Sequence, residues 1–404
     1  MLSVKPLNRR QNHIPELAQT HAEELAYLWH RRRHSLRSTE LTTRAFAELN
    51  ERIEAHLQGL LITGDALAEI AAPSLLSEDR DEVFAGAWPM LRSGSANAAR
   101  TILEAFAAAS GERLLGLRDA LGMASPLHTE ATLRAALTHG QSHHAAAAAV
   151  VLATQRRLEP THPRLATLLD EADPAIASQA WRAVLQIDQQ SEPIPRPYAA
   201  AIAHSDAQLR AAALEAGVWR GESWVPRVIK QLAESGDSIG LDWTAATLQR
   251  ELDDQGIHAL LALQGKKRFA LLARAGHPAA FEPLLIAIQD PDAACAAAAG
   301  LAWARITGFD VEGERVALTP ADDADDFARD FPEEVRLPDV QRAQQQWRDN
   351  AAQWQVGNRW CRGHDICRTL SSMAQKTIDL EARWDFGARA ALAGTRVFSP
   401  PPAI

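Results

Sequence analysis

The sequence is poor in the features that mark secreted, membrane-bound or disulfide-linked proteins. It has three cysteines in 404 residues, and so small and odd a number argues against a disulfide framework and indicates a reducing compartment. Its first residues, MLSVKPLNRRQNHIPEL, lack the apolar stretch of a secretory signal. The longest apolar run, residues 145–153, is far shorter than the roughly 20 residues that span a bilayer. We therefore expect a soluble cytoplasmic protein with no membrane partner.

Positive charge and catalytic motifs are also scarce. The formal net charge is −9, and no long run of lysine and arginine is present, which argues against nucleic acid as a partner. The sequence has no P-loop, no dinucleotide-binding glycine motif and no nucleophile elbow. The GESWV stretch that starts at Gly221 lacks the second glycine of G-x-S-x-G. The sequence therefore predicts no enzymatic activity, no catalytic residue and no cofactor.

Alanine and leucine are abundant instead, and they recur in a pattern. Four segments place a turn or capping residue before a helix of small residues, and they start at Gly140, Asp173, Asp206 and Asp292. The first three starts are about 33 residues apart, a step typical of helical-repeat families. We expect Asp or Gly to cap each helix start, where backbone N–H groups lack partners. Each helix pair would bury its apolar face against the next pair. The predicted fold is all-α, an α–α superhelix or HEAT-like solenoid.

The chain is predicted to have four regions. Residues 1–73 contain two amphipathic segments and form a helical N-terminal cap. Residues 74–311 form the HEAT-like repeat array. Residues 312–338 are acidic, contain prolines and show no sustained period, which indicates a surface loop or linker. Residues 339–404 form a helical C-terminal cap with a disordered tail, SPPPAI.

Several stretches together resemble a known family. HAEELAYLW from His21, LNERIEAHLQGL from Leu49, AWARITGFDV from Ala302 and LPDVQRAQQQWRDNAAQWQVGNRWCRG from Leu337 occur in this order. They are similar to an uncharacterised family of proteobacterial HEAT-repeat proteins, often encoded near type VI secretion genes. The resemblance covers nearly the whole chain and implies an accessory or adaptor role. This sequence departs from the family at Asn50, where an Asp is usual, likewise at Gln58, and at Cys361 and the residues after it.

The stretch NRWCRGHDIC, residues 358–367, holds the residues closest to a metal motif. Cys361, His364 and Cys367 recur every three residues, and thiolate and imidazole are zinc ligands. A structural zinc site normally has four ligands, and the remaining thiol, Cys295, lies in an alanine-rich helix. We therefore interpret the stretch as a turn and short helix in the C-terminal cap, with these three residues as weak metal candidates.

For the histidines, too, structural roles explain the sequence better than a metal or phosphate site. His30 and His34 share a helix face, but three arginines, residues 31–33, lie between them and would repel a divalent cation. A basic helix C-terminus explains this run better than a small phosphate or nucleic-acid patch. His21 and His56 are expected in a polar network that ties the two N-terminal helices together.

The acidic run at Asp322, Asp323, Asp325 and Asp326 lacks the glycine and glutamate of an EF-hand, and a solvated linker is the better interpretation.

The eleven tryptophans are the main candidates for binding. Trp29, Trp181 and Trp303 lie on helical apolar stripes and are expected in the core. Tryptophan and arginine dominate interface hot spots, so two groups are candidate protein-binding residues. These are Trp219, Arg220 and Trp224, in a predicted exposed loop between repeats, and Trp347, Trp354 and Trp360, for which a cap core is the alternative.

These observations lead to one functional hypothesis and one alternative. The hypothesis is a non-catalytic helical scaffold that binds protein partners. By the family resemblance, it would be an adaptor or chaperone for a type VI secretion effector or spike component. The alternative is a HEAT-like repeat enzyme acting on nucleic acid, as a glycosylase does, or on a small-molecule chromophore. A basic or carboxylate-rich concave surface would favour the alternative.

Overall fold

The part of the chain that the structure describes is all-α apart from two small antiparallel β-ribbons, as the composition predicts. The structure is a computed structural model that describes residues 14–187, 194–248, 254–320, 325–367 and 369–404. None of the helices in these ranges is long and apolar enough to cross a membrane. The superhelical path of a solenoid stays a prediction.

The chain divides into two compact units. Unit 1 comprises Met1–Leu36, Ala45–Glu222 and Arg396–Ile404, and unit 2 comprises Arg37–Arg44 and Ser223–Thr395. The division after Glu222 falls inside the predicted repeat array.

Unit 1 is built from consecutive helices. They are α1 (Pro15–Ser35), α2 (Thr43–Leu61, its first two residues in unit 2), α3 (Leu67–Leu75), α4 (Arg80–Arg92), α5 (Ala96–Ala108), α6 (Gly111–Gly122), α7 (Glu130–His139), α8 (Ser142–Thr154), α9 (Pro163–Leu169), α10 (Pro174–Ile187), α11 (Tyr198–Ile202) and α12 (Ala207–Arg220). Short 3-10 turns lie at Gly64–Ala66 and Pro126–His128.

A row of small-residue helices forms the core of unit 1. Helix α4 packs on α6, α6 on α8, α8 on α10 and α10 on α12. Every residue from 145 to 153 in α8 is buried, because alanine side chains let neighbouring helices approach on several sides. Between α4 and α6 the closest approach is at Gly116, where a Cβ would collide with the carbonyl oxygen of Arg80.

The predicted helix caps are confirmed at the aspartates and wrong at the glycine. Oδ1 of Asp173 accepts a hydrogen bond from the N–H of Ala175 at 2.9 Å. Asp206 accepts from the backbone at the start of α12, and Asp292 does so at the start of the helix Ala293–Thr307, in the same way. Gly140 instead ends α7, and Gln141 precedes α8. A glycine offers no acceptor for the free N–H groups of a helix start, so it serves as a stop.

The N-terminal helices carry the expected polar contact. Nδ1 of His21 on α1 lies 3.1 Å from Nδ1 of His56 on α2, and the two rings meet edge to face. Gly59 permits this, because a Cβ there would overlap the His21 ring. Burial, together with the charge of His21, lowers the pKa of His56. The predicted network is confirmed for this pair.

The predicted disordered tail is an ordered part of unit 1. Nη2 of Arg396 donates to the carbonyl of Trp219 at 2.9 Å. Nε2 of Gln186 donates to the carbonyl of Pro401 at 2.8 Å, and Ile404 packs onto Gly122. Prolines gave the appearance of disorder in the sequence, but they lower the entropy that an extended segment loses when it packs.

Unit 2 contains the remaining helices and both ribbons. They are α13 (Val225–Glu234), α14 (Ser238–Thr247), α15 (Asp254–Ala262), α16 (Lys267–Ala275), α17 (Phe281–Ala287), α18 (Ala293–Thr307), β1 (Glu312–Ala317), α19 (Asp326–Asp330), β2 (Glu334–Pro338), α20 (Val340–Val356), β3 (Trp360–Cys361), β4 (His364–Asp365), α21 (Ser372–Thr377) and α22 (Leu380–Leu392), with a 3-10 turn at Pro278–Ala280.

The segment predicted as a structureless linker, residues 312–338, holds one of these ribbons. Strand β1 pairs with β2 in antiparallel register, with Val316 opposite Val335, and an irregularity lies between Glu312 and Arg315. Five or six residues of alternation interrupted by a bulge give too weak a pattern to detect in the sequence. Of the predicted acidic run, Asp322 and Asp323 lie outside the described residues, and α19 begins at Asp326.

Replacing Gly116 by alanine tests the close packing of α4 on α6. Alanine has the higher helix propensity by about 1 kcal/mol, yet we expect the variant to lose about 1–3 kcal/mol of unfolding free energy, because the backbone of Arg80 occupies the space of the new methyl group. Urea unfolding measures the difference. The control is Ala107→Gly on the exposed side of α5, which reports the propensity term alone. A more stable Gly116→Ala variant would contradict the described packing.

Candidate functional site

The tryptophans of the C-terminal region form an aromatic cluster in unit 2. It consists of Phe281 on α17, Trp303 on α18, and Trp347 and Trp354 on α20. The rings of Phe281 and Trp354 are stacked with centroids 5.0 Å apart, and Trp303 meets Trp354 edge to face at 5.7 Å. Trp347 lies 5.7 Å from Phe281. Stacked and edge-to-face pairs of this kind add to the stabilisation from buried area.

Hydrogen bonds fix the orientation of this aromatic cluster. The indole N–H of Trp303 donates to Oε1 of Gln346 at 2.8 Å, and the indole N–H of Trp360 donates to the carbonyl of Trp354 at 3.0 Å. Trp354 and Trp360 are both buried, so these two candidate binding residues belong to the core.

One edge of the aromatic cluster reaches the surface. Trp347 is half-buried, and Phe309, whose ring lies 6.2 Å from that of Trp354, is 44% exposed. Arg348 follows Trp347 on α20 and is exposed, and its Nη2 donates to Oε1 of Gln345 at 2.7 Å. An aromatic centre beside arginine and amide side chains has the composition of protein interfaces. We call Phe309 and Trp347 the aromatic edge.

The other predicted group, Trp219, Arg220 and Trp224, does not form an exposed loop. Trp219 is 2% exposed, because it lies in the last turn of α12 on the side that packs in unit 1. Arg220 pairs with Glu222 at 3.4 Å and its side chain is largely buried. Trp224 precedes α13 in unit 2 and is half-buried. The predicted exposure is therefore wrong for Trp219.

The Cys361, His364 and Cys367 stretch is a tight β-hairpin, not a turn and short helix. Strands β3 and β4 pair through Cys361 and His364. Arg362 and Gly363 between them both have positive φ, 48° and 77°, as a type I′ hairpin turn requires. The glycine adopts this conformation readily.

The three candidate ligands of this hairpin lie in different environments. Sγ of the buried Cys361 lies 3.5 Å from the Asp379 carboxylate. Nε2 of His364 lies 3.0 Å from Oγ1 of Thr377, and Cys367 is exposed. In the part of the chain that the structure describes, no three His, Cys, Asp or Glu side chains are grouped to hold a metal ion.

A network of buried ion pairs lies beside the hairpin. Asp385 on α22 accepts two hydrogen bonds from Arg274 on α16, each 2.9 Å long. Asp379, which is fully buried, accepts from Arg305 on α18 at 2.9 and 3.1 Å. Glu381 lies between them, 3.6 Å from Arg274 and 2.8 Å from Arg305. Bidentate pairs of this type are the strongest that arginine makes.

Two further buried arginines bind backbone carbonyls at the end of α14. Arg359 donates to the carbonyls of Ala245 and Leu248, and Arg389 donates to that of Ala246 at 3.0 Å. The last carbonyls of a helix lack partners and carry the negative end of its dipole. Burial, followed by the charge of Arg389, lowers the pKa of Arg359 well below its usual value. Two of the four guanidinium groups, those of Arg274 and Arg305, therefore pair with the three carboxylates, and backbone carbonyls stabilise the charge of the other two.

The electrostatics indicate a structural role for this network. Burial raises the pKa of an isolated carboxyl group, but the charge and hydrogen bonds of Arg274, with the charges of Arg359 and Arg389, outweigh burial and lower the pKa of Asp385. Burial also raises the pKa of Cys361 to about 12, so this thiol stays protonated and unreactive near neutral pH. The carboxylates of Asp379 and Asp385 are buried and already bound to arginine.

The loop of residues 37–44 completes the hairpin's surroundings in unit 2. Nη2 of Arg362 donates to the carbonyls of Thr39 and Glu40 at 3.0 and 3.1 Å. The N–H of Leu380 donates to the carbonyl of Leu41 at 3.0 Å. Nothing in the sequence pattern associates this loop with residues more than 300 positions away.

The arginine run of unit 1 is likewise engaged inside the fold. Arg33 forms a bidentate pair with Asp81, 2.8 and 2.9 Å long, and His30 contacts the same carboxylate at 2.9 Å. Arg32 is buried, stacks on Trp29 at 4.6 Å, and donates to Oδ1 of Asn50 at 3.0 Å. Burial lowers the pKa of Arg32 to about 10. This run is not a phosphate-binding patch, because two of its three arginines face the core.

Comparison with known proteins adds no assignment. The chain matches no protein-family model and no curated protein.

Replacing Asp385 by asparagine tests the ion-pair network. We expect a loss of about 3 kcal/mol in unfolding free energy at pH 7, since the variant leaves the buried Arg274 without its carboxylate. A carboxyl group with a lowered pKa stabilises the fold above its unfolded pKa of about 4. The difference between wild type and variant should therefore shrink as the pH falls below about 4. Denaturant unfolding at several pH values measures it. Asp349→Asn, an exposed change on α20, should cost under about 0.5 kcal/mol. Equal effects of the two changes would contradict the network.

Thiol labelling tests the placement of the three cysteines. Cys367 is exposed and should react at once with a thiol reagent, while Cys361 should react only after unfolding. The half-buried Cys295, whose pKa is raised by burial and by its hydrogen bond to Asp292, should react slowly. Cys367→Ser should remove the fast phase. A zinc ion shared by Cys361 and Cys367 would instead protect both thiols until a chelator is added, and that result would restore the metal interpretation.

Proposed function

We propose that this protein is a non-catalytic helical scaffold that binds a protein partner through the aromatic edge of unit 2. The observation that supports this function is the position of Phe309 and Trp347 on an otherwise buried aromatic cluster. Rigid aromatic side chains lose little conformational entropy on binding, and a packed cluster behind them keeps them in place.

The ion pairs and hydrogen bonds described above support the rigidity that such a surface needs. The carbonyl of Trp354 and the amide of Gln346 each hold an indole ring of this region. These hydrogen bonds orient the buried rings of Trp303 and Trp360, and Trp303 meets Trp347 of the aromatic edge at 6.3 Å. The packing behind the edge is ordered before a partner arrives, so binding has less ordering to offset.

The proposed partner is a type VI secretion effector or spike component, for which this protein would act as adaptor or chaperone. The support for this part of the proposal is the sequence resemblance alone. In that role, the scaffold would hold an incompletely folded partner by its apolar segments until loading.

The proposal is tested by co-purification from the native host, followed by mass spectrometry and binding measurements with the partner identified. We expect one stoichiometric partner. Phe309→Glu should weaken its binding by about 30-fold or more, the effect of losing an interface hot spot of about 2 kcal/mol. The control is Met373→Glu on α21, a change at another exposed apolar residue of unit 2.

Both variants should unfold within a few degrees of wild type, which separates a binding effect from a folding effect. Recovery of the chain alone under gentle conditions would contradict the scaffold function. A partner that is retained by Phe309→Glu would contradict the aromatic edge as its site. A stoichiometric partner unrelated to secretion would overturn the adaptor role while leaving the scaffold.

A further inference from the structure

A short helix between the two strands of the β1–β2 ribbon exposes two phenylalanines. Phe327 is 72% and Phe331 69% exposed, and their ring centroids are 5.1 Å apart. Phe331 directly follows α19, and its N–H donates to the carbonyl of Phe327 at 2.8 Å, so the two side chains, four residues apart, lie on the same side. Each follows an aspartate, Asp326 and Asp330. We call these four residues the acidic–aromatic tip. Large apolar side chains so exposed, in a pair, mark an interaction element.

A groove on unit 2 has the complementary chemistry. It lies among α15, α16 and α17, and its volume is about 230 Å³. Its lining is apolar apart from one arginine: Leu261, Arg268, Phe269, Leu272, Pro283 and Ile286. Ile286 at its margin is 72% exposed. A cavity of about 150 Å³ takes a benzene ring, so this groove has room for one phenylalanine side chain, with Ile286 available to contact a second.

Arg268 places a charged side chain in the lining of the groove. Its guanidinium lies over the Phe269 ring at 4.7 Å, and its Nη1 donates to the carbonyl of Leu263 at 3.4 Å. Its Nε is buried and has no hydrogen-bond partner among the residues that the structure describes. The side chain as a whole is half-buried, so a ligand that brings a carboxylate next to a ring would be favoured. Lys266 and Lys267 are exposed at the start of the same helix. The acidic neighbours are Glu282, next to Pro283, and Asp290 and Asp292 near Lys266 and Arg268.

We propose that the acidic–aromatic tip of one molecule docks into this groove of a second copy of the chain. One phenylalanine would fill the groove, and the aspartate before it would pair with the half-buried guanidinium of Arg268. The charges match, since the tip is anionic and residues 266–268 are cationic. Both elements belong to unit 2, and two copies that exchange tips reciprocally would form a two-fold dimer in which each molecule gives and receives the same contact. The inference does not rest on the proposed function.

The first test is the molar mass of the full-length protein in solution, measured by light scattering and sedimentation over a range of concentrations. We expect a dimer that dissociates as salt rises, because exposed charge pairs are screened. Phe327→Ala with Phe331→Ala should weaken dimerisation by about 30-fold or more. Leu127→Ala, at an exposed leucine of unit 1, is the matched control and should leave the mass unchanged.

A charge exchange makes the test specific to the two surfaces. Arg268→Glu alone should give a monomer, and so should Asp326→Arg with Asp330→Arg. The chain that carries all three changes should dimerise again. A peptide with the sequence DDFARDF, residues 325–331, should compete with the wild-type dimer and should not bind Arg268→Glu.

Three results would overturn the proposal. The first is a wild-type monomer at every concentration, even if the peptide binds it, since the groove's occupant would then be another protein. The second is a dimer that survives the loss of both phenylalanines. The third is a triple variant that stays monomeric although its thermal unfolding matches that of wild type.

Discussion

The close approach of helix backbones is the constraint on which unit 1 depends. Residues 145–153 of α8 are buried on every side, and this is possible only because most of them are alanine. Gly116 and Gly86 serve α4 and its neighbours in the same way, since a Cβ at either would meet atoms of the adjacent helix. Small side chains bury little area each, so the stability of the unit has to come from many such contacts.

A surface of alanines is also smooth, and it defines the register between two helices weakly. Buried polar pairs supply the missing specificity in unit 1. Arg80 on α4 pairs with Asp119 on α6 at 2.7 Å, and Arg118, beside it, reaches Gln179 on α10 at 3.2 Å. Asp81 joins α4 to Arg33 on α1. Burying such pairs costs desolvation energy, so they contribute little net stability, but any shift in register leaves a charge unpaired at a cost of several kcal/mol. Unit 2 follows the same rule through Asp379 and Asp385.

The sequence predicts the features that arise locally. Aspartates before alanine-rich stretches predict helix starts at Asp173, Asp206 and Asp292, and the structure has them there. Asp379 and Asp385 could not be recognised as buried, because their partners Arg305 and Arg274 are distant in sequence and an acidic residue on a helix normally indicates solvent. Trp219 shows the opposite error: a tryptophan beside an arginine and a glycine looks like a loop residue, yet it is the buried end of α12. The hairpin at Arg362 and Gly363 could not be predicted from the sequence, because two-residue strands have no detectable period.

The environments of the arginine side chains bear on the choice between a scaffold and an enzyme acting on nucleic acid. A nucleic-acid surface needs guanidinium groups that point to solvent and release counterions. The buried arginines described above have the opposite environment. Arg274, Arg305, Arg359 and Arg389 are held by carboxylates or by the last carbonyls of α14. Arg32 lies against Trp29. Asn50 stands where the family that the sequence resembles usually has Asp. Its amide oxygen accepts a hydrogen bond from Arg32 but carries no charge to neutralise that guanidinium. Burial lowers the pKa of Arg32 to about 10. These cations therefore fix the positions of helices, and the aromatic edge remains the better candidate for contact with a partner.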